Sequence, residues 1–219
     1  MDSKTIHQDS HNCSPVRIGV LGLQGDYQKH LEMLQMIDGV ETKIVRTAQE
    51  ITNWCDGLII PGGESTTVGK LMDRYGVDKA IRQRVADGMT VFGTCTGMIL
   101  LSKDIEGSEQ HRLGLMDTSV RRNAYGRQLD SFETDLNIKC LDGGAVRAIF
   151  IRAPQITKVS GDAQVMACLE SGEAVMVRQD NCLAISFHPE LTADTRVHEY
   201  FVEMTRVVSA AATSMQITQ

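Results

Sequence analysis

A cysteine lies between two glycines in Gly93-Thr94-Cys95-Thr96-Gly97, directly after the apolar stretch Thr90-Val91-Phe92. In a G-x-C-x-G pattern between a strand and a helix, the glycines permit a sharp turn that lifts the central side chain off the end of a sheet. The helix start favours a thiolate, and amides beside the turn can bind an oxyanion. Cys95 is therefore a candidate nucleophile, although a buried cysteine in a tight turn satisfies the same five residues. A thiol nucleophile needs a base, and the base needs an acceptor that orients it. Phe187-His188-Pro189-Glu190 offers both, after the apolar run Cys182 to Ser186. A carboxylate two residues from a histidine can reach Nδ1–H and leave Nε2 free for a thiol. The remaining histidines lack this context. His7 and His11 read as tail residues, His111 as a loop residue, and His30 and His198 as helix surface or packing residues.

A third segment, Pro61-Gly62-Gly63-Glu64-Ser65-Thr66-Thr67, has the look of a phosphate cradle. It fails the Walker pattern at two positions: Glu64 stands where the first glycine belongs, and Leu71 follows Lys70 where Ser or Thr belongs. Gly22-Leu23-Gln24-Gly25 likewise fails the dinucleotide pattern. What remains is a turn with free amides, a carboxylate and hydroxyls at a helix start. Such a turn can hold a zwitterion, the amides taking a carboxylate and Glu64 an ammonium. A plain capped turn fits as well.

These segments need elements to position them. Val16 to Leu21 reads as a strand buried on both faces, as in a parallel sheet. Asp26 can cap a helix carrying Leu31, Leu34 and Ile37, which Gly39 would end. Further strands are expected at Lys43 to Val45, Gly57 to Ile60 and Thr90 to Gly93, and helices at Thr66 to Tyr75, Val77 to Ala86 and from Met98 to Ser102. The alternation of strand and helix predicts a doubly wound parallel sheet. The second half reads as short strands at Leu136 to Cys140, Ala145 to Ile151, Val165 to Leu169, Ala174 to Arg178 and Cys182 to Phe187. Hairpin-type turns between them, at Asp142-Gly143-Gly144, Ser171-Gly172 and Asp180-Asn181, predict antiparallel additions. A helix over Asp194 to Ser209 closes the chain.

Composition bounds the function. The chain has 219 residues, 42% hydrophobic and 23% charged, as in an ordinary globular protein. Its net charge of −6, with no basic stripe, argues against nucleic-acid binding. Apolar runs such as Gly57 to Ile60 fall far short of the roughly 18 residues of a membrane span, and the polar start Met1 to Ser14 contains no secretory h-region. The six cysteines form no CxxC pair and no zinc spacing, so reduced thiols in a cytoplasmic protein are expected. No repeat or linker divides the chain. The expected organisation is a flexible extension over 1–15, one domain over 16–209 and a flexible tail over 210–219.

The cysteine elbow with a late H-P-E resembles the class I (triad) glutamine amidotransferases. Five blocks in order narrow the resemblance: Gly19 to Gly25, Pro61 to Thr67, Arg122-Asn123-Ala124-Tyr125-Gly126-Arg127-Gln128, Phe150-Ile151-Arg152-Ala153-Pro154, and Ser186 to Thr192. Together they are similar to the glutaminase subunits of pyridoxal 5′-phosphate synthases. The resemblance covers about residues 16 to 205. It implies a flavodoxin-like three-layer α/β/α fold with a mixed, mostly parallel sheet. It implies hydrolysis of L-glutamine to glutamate and ammonia, with no metal or organic cofactor. The ammonia would pass to a (β/α)8-barrel synthase subunit in a hetero-oligomer, by which the glutaminase is activated. It places Cys95 at the nucleophile, His188 and Glu190 at the base and its orienter, and Gly63, Glu64, Ser65, Arg122, Ile151 and Arg152 at glutamine contacts. Backbone amides of Gly63 and Thr96 fall at the oxyanion hole. One departure from the resemblance stands out: such families usually have Ala or Gly where this chain has Thr96. A stand-alone cysteine hydrolase or γ-glutamyl peptidase, and a non-catalytic interaction subunit, are the competing readings.

Overall fold

The computed structural model describes residues 14–122 and 131–217. Most of the expected N-terminal extension and the block Asn123 to Gln128 therefore lie outside the described residues. Strand β1 (Val16–Leu21) pairs in parallel with β2 (Val40–Val45) and β3 (Gly57–Ile60). Next to β3 runs β4 (Thr90–Thr94), and next to β4 a strand from the end of the chain, β12 (Cys182–Ile185), both again parallel. Their order is β2-β1-β3-β4-β12, the flavodoxin arrangement. Two antiparallel strands, β10 (Gln164–Cys168) and β11 (Ala174–Gln179), extend it to seven. They turn at Ser171-Gly172 and Asp180-Asn181, as expected.

Strand residues alternate between two cores, as a period of two requires. Leu58 and Ile60 of β3 and Val91 of β4 face one side. There they meet α2 (Ala48–Trp54), α3 (Ser65–Arg74), α4 (Val77–Ala86) and α5 (Thr96–Leu101) through Ile51, Met72, Ile81 and Leu100. Ile59 and Phe92 face the other side. That side is covered by α1 (Tyr27–Gln35) and α6 (Arg196–Ile217) through Leu34, Val197 and Phe201. The result is the three-layer α/β/α sandwich anticipated above. No described helix is long and apolar enough to cross a membrane.

Several elements differ from expectation. Residue 26 is the N-cap of α1, yet its carboxylate makes no capping hydrogen bond. Helix α2 was not foreseen, although Thr47 and Glu50 form a full capping box at its start. The polar strands β5 (Ser102–Ile105), β6 (Met116–Arg121) and β9 (Gln155–Val159) form a separate sheet. Their half-exposed sequences hid them. Strand β7 is Ser131–Leu136, paired with β8 (Val146–Ile151), and not Leu136 to Cys140. Leu136, the last residue of β7, and Ile138 beyond it are both buried, so their spacing of two imitated a strand. Asp142-Gly143-Gly144 then lies in a longer connection. The carbonyls of Asp142, Gly144 and Ala145 accept hydrogen bonds from the Arg196 guanidinium at 2.8–3.1 Å. Helix α6 runs to Ile217, beyond the Ser209 at which the sequence pattern would end it.

The glycines flanking Cys95 are dictated by packing. A Cβ on Gly97 would stand 2.2 Å from the Ile60 carbonyl oxygen, and one on Gly93 would stand 2.5 Å from the Gly97 carbonyl carbon. Backbone cannot give way as a side chain can. Gly97→Ala is therefore expected to lower unfolding stability by about 3 kcal/mol, as overpacking does. Urea denaturation with an unchanged midpoint would contradict this account of the elbow.

Candidate active site

Strands β4 and β12 are neighbours in register, Ile185 opposite Thr94, so the chain leaves both at the same edge. Cys95 is the residue after β4. Its φ of 49° and ψ of −98° form the expected sharp turn, and its N–H donates to the Ile185 carbonyl at 2.8 Å. After β12, Ser186 and Phe187 are buried. The His188 N–H then donates to the Ile149 carbonyl of β8 at 2.8 Å, fixing the start of the next turn. A 3-10 turn over Pro189–Leu191 folds Glu190 back onto its neighbour. Glu190 Oε1 lies 2.6 Å from His188 Nδ1, the contact foreseen from the H-P-E spacing. Only 12% of the His188 side chain is exposed, and Glu190 is buried.

Cys95 and His188 open into a cavity of about 500 Å³. Its wall also includes Gly63, Glu64, Ser65, Thr96, Arg122, Ile151 and Arg152. Every sequence-predicted site residue except the buried Glu190 thus meets at one place, although they are spread along the chain from Gly63 to His188. The loops after β1 and β3, from Gln24 to Asp26 and from Gly62 to Ser65, complete the wall. This is the switch point of the 2-1-3-4-5 order, where open α/β sheets bind ligands. Two of the three described non-glycine residues at positive φ, Cys95 and Arg152, line this cavity. Strain held by surrounding structure is common at functional sites.

The loop after β3 is held from three sides. The Gly62 carbonyl accepts from the Asp26 N–H at 3.2 Å, and the Glu64 N–H donates to Gln24 Oε1 at 2.7 Å. Thr96 Oγ1 donates to the Gly63 carbonyl at 2.5 Å. The Thr96 hydroxyl thus ties the start of α5 to the glycine loop. Gly62 admits no side chain, since a Cβ would stand 2.6 Å from His188 Cε1. Glu64 caps α3, accepting from the Thr66 and Thr67 amides at 3.1 and 2.7 Å and from Thr67 Oγ1 at 2.7 Å. The Thr67 hydroxyl foremost, with these amides, holds its carboxyl down at about 2. Arg122 Nη2 lies 3.7 Å from Glu64, and Arg122 Nη1 donates to Gln110 Oε1. Ser65 and Thr66 hydroxyls converge on the same Gln110 oxygen. Gln24 lies in the first of the five blocks but carried no role in the sequence reading, and Gln110, an isolated loop glutamine, carries no pattern that would mark it.

Burial by itself depresses the His188 imidazolium. Hydrogen bonds to Cys95 and Glu190, with the charges behind them, outweigh it and lift His188 to about 10. Burial by itself raises the Glu190 carboxyl, but His30 and His188 on its two sides hold it at about 2. Near neutral pH the pair is an imidazolium and a carboxylate beside the Cys95 sulfur. That set can take, hold and return one proton. The other thiols have no such setting. All described cysteines are free, and burial pushes Cys55 to about 11 and Cys182 to about 12. Among the described residues, Asp73, Asp78 and His111 are the only group with metal-ligand spacing. They lie outside the cavity wall, with His111 Nε2 3.2 Å from Asp78 Oδ2.

A flavodoxin-order sheet with cysteine, histidine and carboxylate gathered at its strand ends defines a class of α/β protein that amidotransferases share. A solved glutamine amidotransferase matches the chain with a TM-score of 0.81 at 47% identity, over 86% of this chain and 98% of that one. The structure of PurLQS from Thermotoga maritima, at 15% identity and TM-score 0.66 over 87% of this chain and 99% of its own, shares the fold. The pyridoxal 5′-phosphate synthase subunit PdxT of Carboxydothermus hydrogenoformans is 50% identical over 86% of this chain and 97% of its own length. The PdxT subunit of Dehalococcoides mccartyi is 50% identical over 87% and 98%. Residues 20–207 match the SNO glutamine amidotransferase family, and the chain belongs to it.

Removing the Glu190 charge takes away the anion that favours the imidazolium, so the proton leaves His188 at lower pH. Glu190→Gln is expected to lower the His188 midpoint by about 1–3 units, read by NMR titration of the imidazole. An unmoved midpoint would mean that the contact with Glu190 does not set the charge of His188.

Proposed function

We propose that this chain is a glutaminase, hydrolysing L-glutamine to L-glutamate and ammonia for a pyridoxal 5′-phosphate synthase. The observation that carries the reading is the convergence of Cys95 and His188 on one cavity, in a chain half identical to PdxT subunits. In this reading His188 holds the proton of Cys95, and the thiolate attacks the side-chain amide carbon of glutamine. The oxyanion is received by backbone N–H groups of Gly63 and Thr96. Thr96 opens α5, where an N–H has no partner within the helix. As the carbon–nitrogen bond breaks, the His188 imidazolium gives its proton to the leaving nitrogen, and ammonia departs. The γ-glutamyl thioester remains on Cys95. Water, losing a proton to His188, then attacks it and releases glutamate and the thiol. Glu190 keeps the imidazole in the tautomer that presents Nε2 to sulfur, as the carboxylate of a serine triad does. Gly63, Glu64, Ser65, Arg122, Ile151 and Arg152 bind the amino-acid end, the guanidinium groups suiting a carboxylate.

The ammonia is received by a (β/α)8-barrel synthase subunit in a hetero-oligomer. The loops at the cavity mouth are the natural docking face. Two hydrogen bonds stitch Gln24 and Asp26 to Gly62 and Glu64, so pressure on one loop re-aims the peptides of the other. Glycines at 62 and 63 permit such reorientation. This supports a glutaminase that is slow alone and fast when docked.

The direct test is ammonia release from L-glutamine by the purified chain, alone and with a synthase subunit. Low activity that rises with the partner, and falls by at least about a thousandfold in Cys95→Ala, is expected. Equal rates with and without the partner would favour a stand-alone hydrolase. No release under either condition would leave an interaction subunit. In the same assay Thr96→Ala is expected to change kcat/KM by less than about tenfold, since one neutral hydrogen bond is worth about 1 kcal/mol. A larger loss would make the hydroxyl essential to the loop.

A further inference from the structure

Polar residues continue behind the triad into the core. The second oxygen of Glu190, Oε2, is buried without a well-formed hydrogen bond, 3.5 Å from His30 Nε2. His30 lies on α1 and is fully buried. Its Nε2 is 3.1 Å from Thr94 Oγ1, and its Nδ1 is 2.9 Å from His198 Nε2. His198, on α6, is also fully buried, and its Nδ1 has no hydrogen-bond partner. Two helices on one face of the sheet thus bring two imidazoles into line behind a buried carboxylate.

A nitrogen–nitrogen contact of 2.9 Å needs one proton between the rings. If His30 donates from Nδ1, its Nε2 lone pair faces the carboxylate, and His198 carries a buried Nδ1–H with no acceptor. If His198 donates from Nε2, the His30 Nε2–H faces Glu190 and Thr94, and the only unmet atom is a lone pair on His198. The second arrangement avoids a lone pair against an anion and an orphaned donor. Burial supports it by keeping both rings neutral: it depresses His30 against the pull of Glu190, and it depresses His198 to about 3.

We propose that His30, fixed in its Nε2–H tautomer by His198, is a positioning residue that holds Glu190 against His188. The inference rests on the roles proposed above for His188 and Glu190. During turnover His188 alternates between imidazolium and imidazole. Whenever it is neutral, Glu190 loses its cationic partner while remaining out of water. The His30 N–H stays directed at the free oxygen in both states, so the carboxylate keeps its charge and its orientation. His30 touches no substrate. Its effect belongs in kcat and not in KM.

Two measurements on the full chain test this. In wild-type protein labelled with 15N-histidine, His30 is expected to be neutral and Nε2-protonated from pH 6 to 9, its signals assigned by their loss in His30→Gln. An Nδ1–H tautomer, or titration within that range, overturns the proposal and does not need any variant to be active. In the glutaminase assay, His30→Phe is expected to lose about tenfold or more in kcat, as for a hydrogen bond to a charged group, with KM within about twofold. His30→Gln, whose amide can donate to Glu190 and accept from His198, is expected to recover most of that loss. A His30→Phe variant as fast as wild type, or a folded His30→Gln variant as slow as His30→Phe, overturns it. Absence of glutaminase activity in wild type with the expected tautomer would sink the reaction reading, while leaving the His30–Glu190 geometry established.

Discussion

Taking a carboxylate out of water costs several kcal/mol unless both of its oxygens are engaged. Glu190, 3% exposed, imposes that requirement on the surrounding fold. One oxygen is met by His188, two residues away, because a proline and a 3-10 turn fold the chain back on itself. The other faces α1, whose His30 is braced in turn by α6. The first and last helices of the domain, far apart in sequence, share one face of the sheet and one buried charge. A helix pair that could have been sealed with leucines carries imidazoles there, and the core gives up apolar contact to keep an anion in place.

The sheet supplies the other half of the arrangement. Parallel neighbours β4 and β12 end together, so a thiol and an imidazole ninety-three residues apart emerge side by side. The loops after β1 and β3 close the cavity from the opposite side, at the point where the strand order reverses. Left-handed backbone at Cys95 and Arg152 is held by this frame. The hydrogen bonds among Gln24, Asp26, Gly62, Gly63, Glu64 and Thr96 then join three loops into a single wall.

Legibility in the sequence followed burial and periodicity. Strands buried on both faces, such as Gly57–Ile60 and Cys182–Ile185, announced themselves as apolar runs. The elbow and the H-P-E turn were readable because glycine and proline restrict what a short segment can do. Half-exposed strands such as Met116–Arg121 and Gln155–Val159 were not readable, since pairing in a small separate sheet leaves no apolar run. The segment Leu136 to Cys140 misled for the converse reason: Leu136 and Ile138 are buried two apart, as in a strand, but strand pairing stops at Leu136. From sequence alone His30 and His198 read as surface or packing residues. Their signal was positional: His30 precedes Leu34 by one helical turn, and His198 precedes Phe201 and Val202, so each sits on the core-facing stripe of its helix. A polar ring on such a stripe must find a partner, but periodicity alone cannot say that the partner is a carboxylate on another element.

The five-residue elbow has a property with meaning for inheritance. Its outer glycines are barred from carrying a side chain by backbone two to three ångströms away. The positions on either side of Cys95 are threonines, whose hydroxyls reach in different directions. Thr94 meets the His30 ring and Thr96 meets the Gly63 carbonyl. Random drift therefore finds no idle site in the motif. A lineage that loses either hydroxyl must adjust a helix on one side or a loop on the other, so changes at 94 and 96 should travel with changes at those partners.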